Sequence, residues 1–103
     1  MSAWITGKIW QLRGGVEEAE LLALIEEQIA PRYEELHPDV VLGLLRLDGG
    51  RYLATQRWPD RATFEAATAG AAYDRWWQRY GPTLAVWDGC ATFVQEWAGE
   101  EIR

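Results

Sequence analysis

The side chains that could do chemistry are few and fall in a handful of places. Gln56-Arg57-Trp58 ends an alternating stretch. An indole there offers a face for stacking on a planar molecule, and an amide or guanidinium beside it offers a donor to an oxygen anion. Tyr73, Trp76, Trp77 and Tyr80 form the densest aromatic group. Tyr73, Trp77 and Tyr80 share one helical face by i+4 and i+3 spacing, and Trp76 turns about 100° away from Trp77. The group reads as the lid of a flat apolar cavity or as core plus a subunit rim. His37 is the only histidine, hence the only side chain whose ordinary pKa lies near neutrality and the candidate general base. It stands in a His-Pro-Asp turn, and turns favour solvent. Lys8 and Arg57 lie on strand-like segments, where each either binds an anion or pairs with an acid such as Asp88 or Glu96. Cys90 reads as a small buried filler.

What the chain lacks removes whole mechanisms. It has no Asn, and its only Ser is Ser2. A Ser-His-Asp triad therefore has no serine to use, and a Cys-His-Asn arrangement has no Asn. One cysteine gives neither a disulfide framework nor a cysteine-based zinc site. That usage fits a reducing compartment, and cytoplasm is the expectation. Gly14-Gly15 and Gly49-Gly50 are short turn pairs, not phosphate-cradling loops. Sixteen acids against ten bases give a net charge of −6, the wrong sign for a nucleic-acid reader. No apolar run approaches the roughly 20 residues of a membrane span. The opening Met1-Ser2-Ala3-Trp4 lacks the basic segment and apolar run of a signal peptide.

The 103 residues fit one domain, expected over 1–103 with a core at 4–97 and a loose polar tail at 98–103. Seven tryptophans are many for that length. Each aromatic side chain buries about 150–250 Å². Seven indoles would crowd the centre of one small monomer, so some are expected in a ligand cavity or a subunit interface.

The elements that must position these groups follow from periodicity. Residues 3–12 alternate as a strand, with Trp4, Thr6, Lys8, Trp10 and Leu12 on one face and Gly7 opening a gap in the other. Residues 16–36 carry Leu22, Ile25, Ile29, Tyr33 and Leu36 at helical spacing, and Pro31 predicts a kink near Ile29-Ala30. Val40–Leu47 and Arg51–Trp58 read as strands about an Asp48-Gly49-Gly50 hairpin turn. Asp60 is the expected cap of a second helix that loosens at Ala69-Gly70 and resumes to Tyr80. Gly81-Pro82 reads as its stop, and Leu84–Trp97 as a long last strand with a bulge at Asp88-Gly89. The order β-α-β-β-α-β predicts an α+β, ferredoxin-like fold: a four-stranded antiparallel sheet with two helices on one face. The other face needs a cover, and a second copy of the chain is the simplest one.

The stretch Tyr52-Leu-Ala-Thr-Gln-Arg-Trp-Pro-Asp-Arg-Ala-Thr-Phe-Glu-Ala, with Ala69-Gly-Ala-Ala-Tyr-Asp-Arg-Trp after it, resembles the antibiotic biosynthesis monooxygenase domain of the dimeric α+β barrel superfamily. The resemblance runs over about residues 4–97. It implies a homodimer with sheets packed face to face and a pocket between each sheet and its helices. It further implies oxygenation of a flat apolar aromatic or polyketide-type molecule, in some members without metal or flavin, so no cofactor is expected. Haem-degrading members use a His on the second helix, and the matching Asp74-Arg75-Trp76-Trp77 has none. The Asn used by the oxygenases is also missing, and Gln11, Gln56 or Arg57 are the residues left to donate in its place. On this reading Trp58 stacks on the substrate, Arg57 or a strand Gln steadies its anion, Tyr73 or His37 handles protons, and Trp10, Gln56, Trp76 and Trp77 line the pocket. The alternatives are a non-catalytic ligand-binding or assembly protein of the same fold, and a cyclase- or isomerase-like enzyme on similar substrates. No nucleic-acid or membrane partner is expected.

Overall fold

Alternation of large apolar and polar side chains sets the first strand, β1 (Trp4–Leu12), at the centre of a four-stranded sheet. The computed structural model describes residues 2–103; Met1 lies outside the described residues. The other strands are β2 (Val41–Arg46), β3 (Arg51–Trp58) and β4 (Ala91–Glu100), in the order β2-β3-β1-β4 with every neighbour antiparallel. The helices are α1 (Glu18–Leu24), α2 (Ala30–Leu36), α3 (Arg61–Ala67) and α4 (Gly70–Cys90). This is the ferredoxin-like arrangement expected from the element order.

Register decides which residues meet the helices. Trp4 pairs with Trp58, Thr6 with Gln56, Lys8 with Ala54 and Trp10 with Tyr52, and Leu42 and Leu44 of β2 extend the same rows. Successive side chains alternate across a sheet, so these stand on one face. There Trp10 and Tyr52 join Leu21, Leu24, Ile29, Trp76, Tyr80, Trp87 and Ala91 in the core. Trp10 meets Trp87 edge-on, with ring centres 5.7 Å apart, a favoured aromatic geometry. The opposite face bears exposed Val41 and Leu45 on the edge strand β2.

Local signals account for most boundaries. The Asp60 carboxylate accepts the Thr63 N–H at 2.7 Å and caps α3 as expected. Between α1 and α2 the chain runs through a π-helical turn, Ile25–Ile29, whose following Ala30 N–H reaches back to the Ile25 carbonyl. The helical break expected near Ile29-Ala30 takes this form. Pro31 then sits in the first turn of α2, where its missing N–H costs least.

Three expectations are corrected. Gly81-Pro82 does not stop the helix: α4 runs unbroken from Gly70 to Cys90. Proline clashes with the Cβ of the residue before it, and Gly81 has none. Burial of Tyr80, Thr83 and Trp87 on one face then holds the helix through the proline. Leu84–Cys90 is accordingly helix, not strand, and Trp87 packs from α4 instead of sharing a strand face with Trp97. The bulge lies not at Asp88-Gly89 but at Val94, between the pairs Ile9–Gln95 and Trp10–Phe93. Finally, Ala98–Glu100 are not a loose tail. They pair with Trp4–Thr6, and the Glu101 N–H donates to the Ala3 carbonyl at 2.9 Å.

Candidate functional site

Between the helix-facing side of the sheet and helices α2 and α4 lies a two-chambered cleft. The inner chamber holds about 90 Å³ and is walled by Trp10, Ile25, Ile29, Tyr80, Leu84 and Trp87. The outer holds about 390 Å³ more than that, about 480 Å³, bounded by Phe64, Thr68, Tyr73, Glu96 and Trp97. Thr6, Lys8, Tyr33, Gln56 and Trp77 belong to both, so the chambers communicate. The inner one alone is smaller than a three-ring aromatic, so a flat ligand would have to span the junction.

Each junction residue has a structural reason to be there. Thr6, Lys8 and Gln56 stand on the helix-facing rows of β1 and β3. Tyr33 projects from α2, one turn beyond Ile29 and two beyond Ile25. Trp77 comes from α4; it is 44% exposed, where its neighbour Trp76 is 2% exposed. Trp76 therefore is not a cleft residue but core, with its indole N–H donating to the Arg32 carbonyl at 2.7 Å. Its ring stacks on Tyr80 at 4.9 Å and on Tyr73 at 5.7 Å, so the aromatic group of α4 is one continuous stack with Trp77 at its wet end.

The polar groups at the junction form a chain. The Trp58 indole N–H donates to Gln56 Oε1 at 3.1 Å, and Gln56 Nε2 donates to the Tyr33 hydroxyl oxygen at 3.0 Å. Tyr33 is a neutral phenol: burial raises its pKa well above the usual tyrosine value, with nearby Tyr80 and Tyr73 adding to the effect. Burial likewise pushes Tyr80 up to about 12. Lys8 Nζ lies 4.0 Å from a Glu96 carboxylate oxygen, both side chains half in water. A pair so long and wet leaves the ammonium free to take another acceptor.

The remaining expected site residues fall elsewhere. Trp58 is fully buried between His37 and Phe64 and presents no face to the cleft. Arg57 points, by the pleat, to the opposite side of β3 from Gln56 and is bound by both guanidinium arms to Glu101. His37 is half-buried beside Trp58, and its Nδ1 accepts the Asp39 N–H at 3.1 Å. Gln11 is spent on the hairpin, donating to the Gly49 and Gly50 carbonyls. Trp10, Gln56, Trp77 and Tyr73 are the expected residues that the fold does bring to the cleft. Tyr33 was legible only as a core-facing helical position. The signal available for a second role was its hydroxyl, since a buried tyrosine O–H needs a partner. Among the described residues no group of His, Cys, Asp and Glu could hold a metal ion, and no helix is long and apolar enough to cross a membrane.

No family model matches the chain, and no curated protein matches it. Solved structures do. A variant of SnoaB, a cofactor-independent oxygenase from Streptomyces nogalater, is similar at a TM-score of 0.67 and 17% identity, covering 100% of this chain and 96% of that one. A dimeric ferredoxin-like protein from an uncultured marine organism is similar at 0.66 and 14% identity, covering 100% and 98%. A proposed antibiotic biosynthesis monooxygenase from Chloroflexus aurantiacus is similar at 0.61 and 10% identity, covering 99% and 95%. The chain therefore has, over its whole length, the ferredoxin-like fold that antibiotic biosynthesis monooxygenases share.

Proposed function

We propose that the protein is a homodimeric, cofactor-independent oxygenase of a flat, apolar, enolisable aromatic. The observation that supports this best is the junction of the cleft, where Lys8, Tyr33 and Gln56 all present donors inside aromatic walls. Such a site binds a ring system by its faces and one oxygen atom by its lone pairs. The fold shared with SnoaB is the supporting analogy. The exposed Val41 and Leu45 on the helix-free face of the sheet support a second copy as its cover.

The chemistry asked of the protein is modest. Loss of a proton from an activated ring carbon gives an enolate, whose oxygen takes the donors of Tyr33, Gln56 and Lys8. Glu96, the carboxylate beside Lys8, is the acceptor for that proton. The enolate passes one electron to dioxygen, and the resulting carbon radical and superoxide combine. The peroxide, once protonated, loses water, so that a CH₂ group and O₂ become C=O and H₂O. The substrate supplies the electrons, and the protein contributes orientation, exclusion of water and donors at the developing anion.

Oxygen consumption with a panel of anthrones and hydroquinones tests this reading. Uptake of one O₂ per ketone formed, lost in Lys8→Met, is the expected result. No uptake above background from intact protein would overturn it. The cleft also favours a second reading, a binding protein without turnover, because His37, the one side chain with an ordinary pKa near neutrality, lies outside it. Tight binding of the same aromatics without oxygen uptake would decide for that.

A further inference from the structure

We propose that the buried indole of Trp58 is a positioning residue that fixes the polarity of the cleft, making its polar end a donor-only site that selects ligands bearing a carbonyl or oxyanion. This rests on the cleft's being a small-molecule site, though not on its catalysing oxygenation.

The argument follows hydrogen atoms along three residues. An indole nitrogen can only donate. Trp58 therefore requires the oxygen of the Gln56 amide, at 3.1 Å, to face it. The amide has one oxygen and one NH₂, so its nitrogen must face the Tyr33 hydroxyl, at 3.0 Å. That nitrogen donates, and the Tyr33 oxygen is thereby the acceptor. The phenolic proton is left pointing away from Gln56, and among the described residues no acceptor is bonded to it. Tyr33 lines both chambers, so this proton is available to a ligand at the junction. The second N–H of the Gln56 amide and the ammonium of Lys8 add donors at the same place. Without Trp58 the amide could turn over, Tyr33 could donate to its oxygen, and the cleft would meet a lone pair instead.

Trp58 is suited to this because it cannot rearrange. It is fully buried, with its ring edge-on to Phe64 at 5.4 Å and beside His37 at 6.2 Å. It touches no ligand in this scheme and acts through Gln56.

Fluorenone, fluorene and carbazole test the proposal: three rigid tricycles of one outline, presenting an acceptor, neither group, and an N–H donor. Dissociation constants are measured by ligand-observed NMR at pH 8 for the wild type, Gln56→Glu and Tyr33→Phe. Wild type should favour fluorenone over carbazole by about tenfold, the worth of one well-placed hydrogen bond. Gln56→Glu places a carboxylate, which only accepts, between Trp58 and Tyr33. Both then donate to it, and the preference should reverse toward carbazole. Tyr33→Phe should bring the two within about twofold, since the discriminating donor is gone. Trp58→Phe should also level them, but Gln56→Glu carries the test if that core variant does not fold. An unchanged fluorenone preference in Gln56→Glu would overturn the proposal, and no binding of any tricycle would overturn it together with the cleft as a ligand site. The expected ratios without oxygen uptake on anthrones would leave it standing and sink the oxygenase reading alone.

Discussion

Replacing Gly7 by alanine puts a number on the contact between the sheet's centre and its edge. Gly7 of β1 stands opposite Trp97 of β4. A methyl group added at Gly7 would lie 2.6 Å from Trp97 Cζ2, 2.7 Å from Cε2 and 3.0 Å from Cη2. Carbon atoms sit comfortably about 3.5–4.0 Å apart, so the indole would have to withdraw by about 1 Å. Forcing a methyl into such a contact costs about 1–3 kcal/mol. Removing a strand glycine returns about 0.5–1 kcal/mol of backbone entropy, so the net effect in the wild type is destabilising. In a Trp97→Ala background only the entropy gain remains, and the same substitution should stabilise. Trp97 is 43% exposed, so its removal leaves the core in place. Urea unfolding of the four proteins, at one fixed protein concentration because a dimer's stability depends on it, gives the cycle. A Gly7→Ala cost of the same size in both backgrounds would refute the account, since Trp97 would not be what fills the space over Gly7.

Two neighbouring indoles should respond in opposite ways. Trp76→Phe strands the buried Arg32 carbonyl and should lower stability by about 1–3 kcal/mol with little change in ligand affinity. Trp77→Ala should weaken fluorenone binding by about tenfold, the worth of one aromatic contact, and barely move the thermal midpoint. Acid sensitivity should trace to Glu18, whose carboxyl is held near a pKa of about 2 by Arg46, with a further hydrogen bond from Tyr52. Its folded pKa lies below the ordinary 4.5, so its contribution to stability is complete above about pH 4.5 and is lost as pH falls from there toward 2. Thermal melts of Glu18→Gln should be flatter than wild type across that window. An equally steep decline would assign the acid sensitivity to other groups.

Strands and caps were legible because their signals are local. Alternation marked β1, Arg51–Trp58 was placed to the residue, and an Asp just before an apolar helical stretch marked the cap at Asp60. The misreading at Gly81-Pro82 was a failure to weigh two local signs against tertiary burial. Tyr80, Thr83, Leu84 and Trp87 carry helical spacing straight through the proline, and that was readable beforehand. The cleft was harder. That Gln56 and Arg57 face opposite ways follows from alternation alone, so only one of the two could share the face of Trp58. The Trp58–Gln56–Tyr33 chain was not readable, because Tyr33 lies 23 residues from Gln56 and only the packing of α2 over the sheet brings them together. The tryptophan arithmetic was half right: Trp10, Trp58, Trp76 and Trp87 do fit inside one monomer, while Trp77 and Trp97 stay exposed at the cleft.

The π-helical turn at Ile25–Ile29 makes chain length itself a property of the site. Such a turn holds one residue more than the α-helix it interrupts. Deleting any one of its five residues would let the backbone relax into continuous α-helix. The relaxation would satisfy every local backbone preference and still rotate all that follows by about 100° about the helix axis. Tyr33 would swing off the cleft and away from Gln56. This half-exposed helix, which tolerates side-chain exchange along its outer face, therefore has no freedom to shorten by one residue.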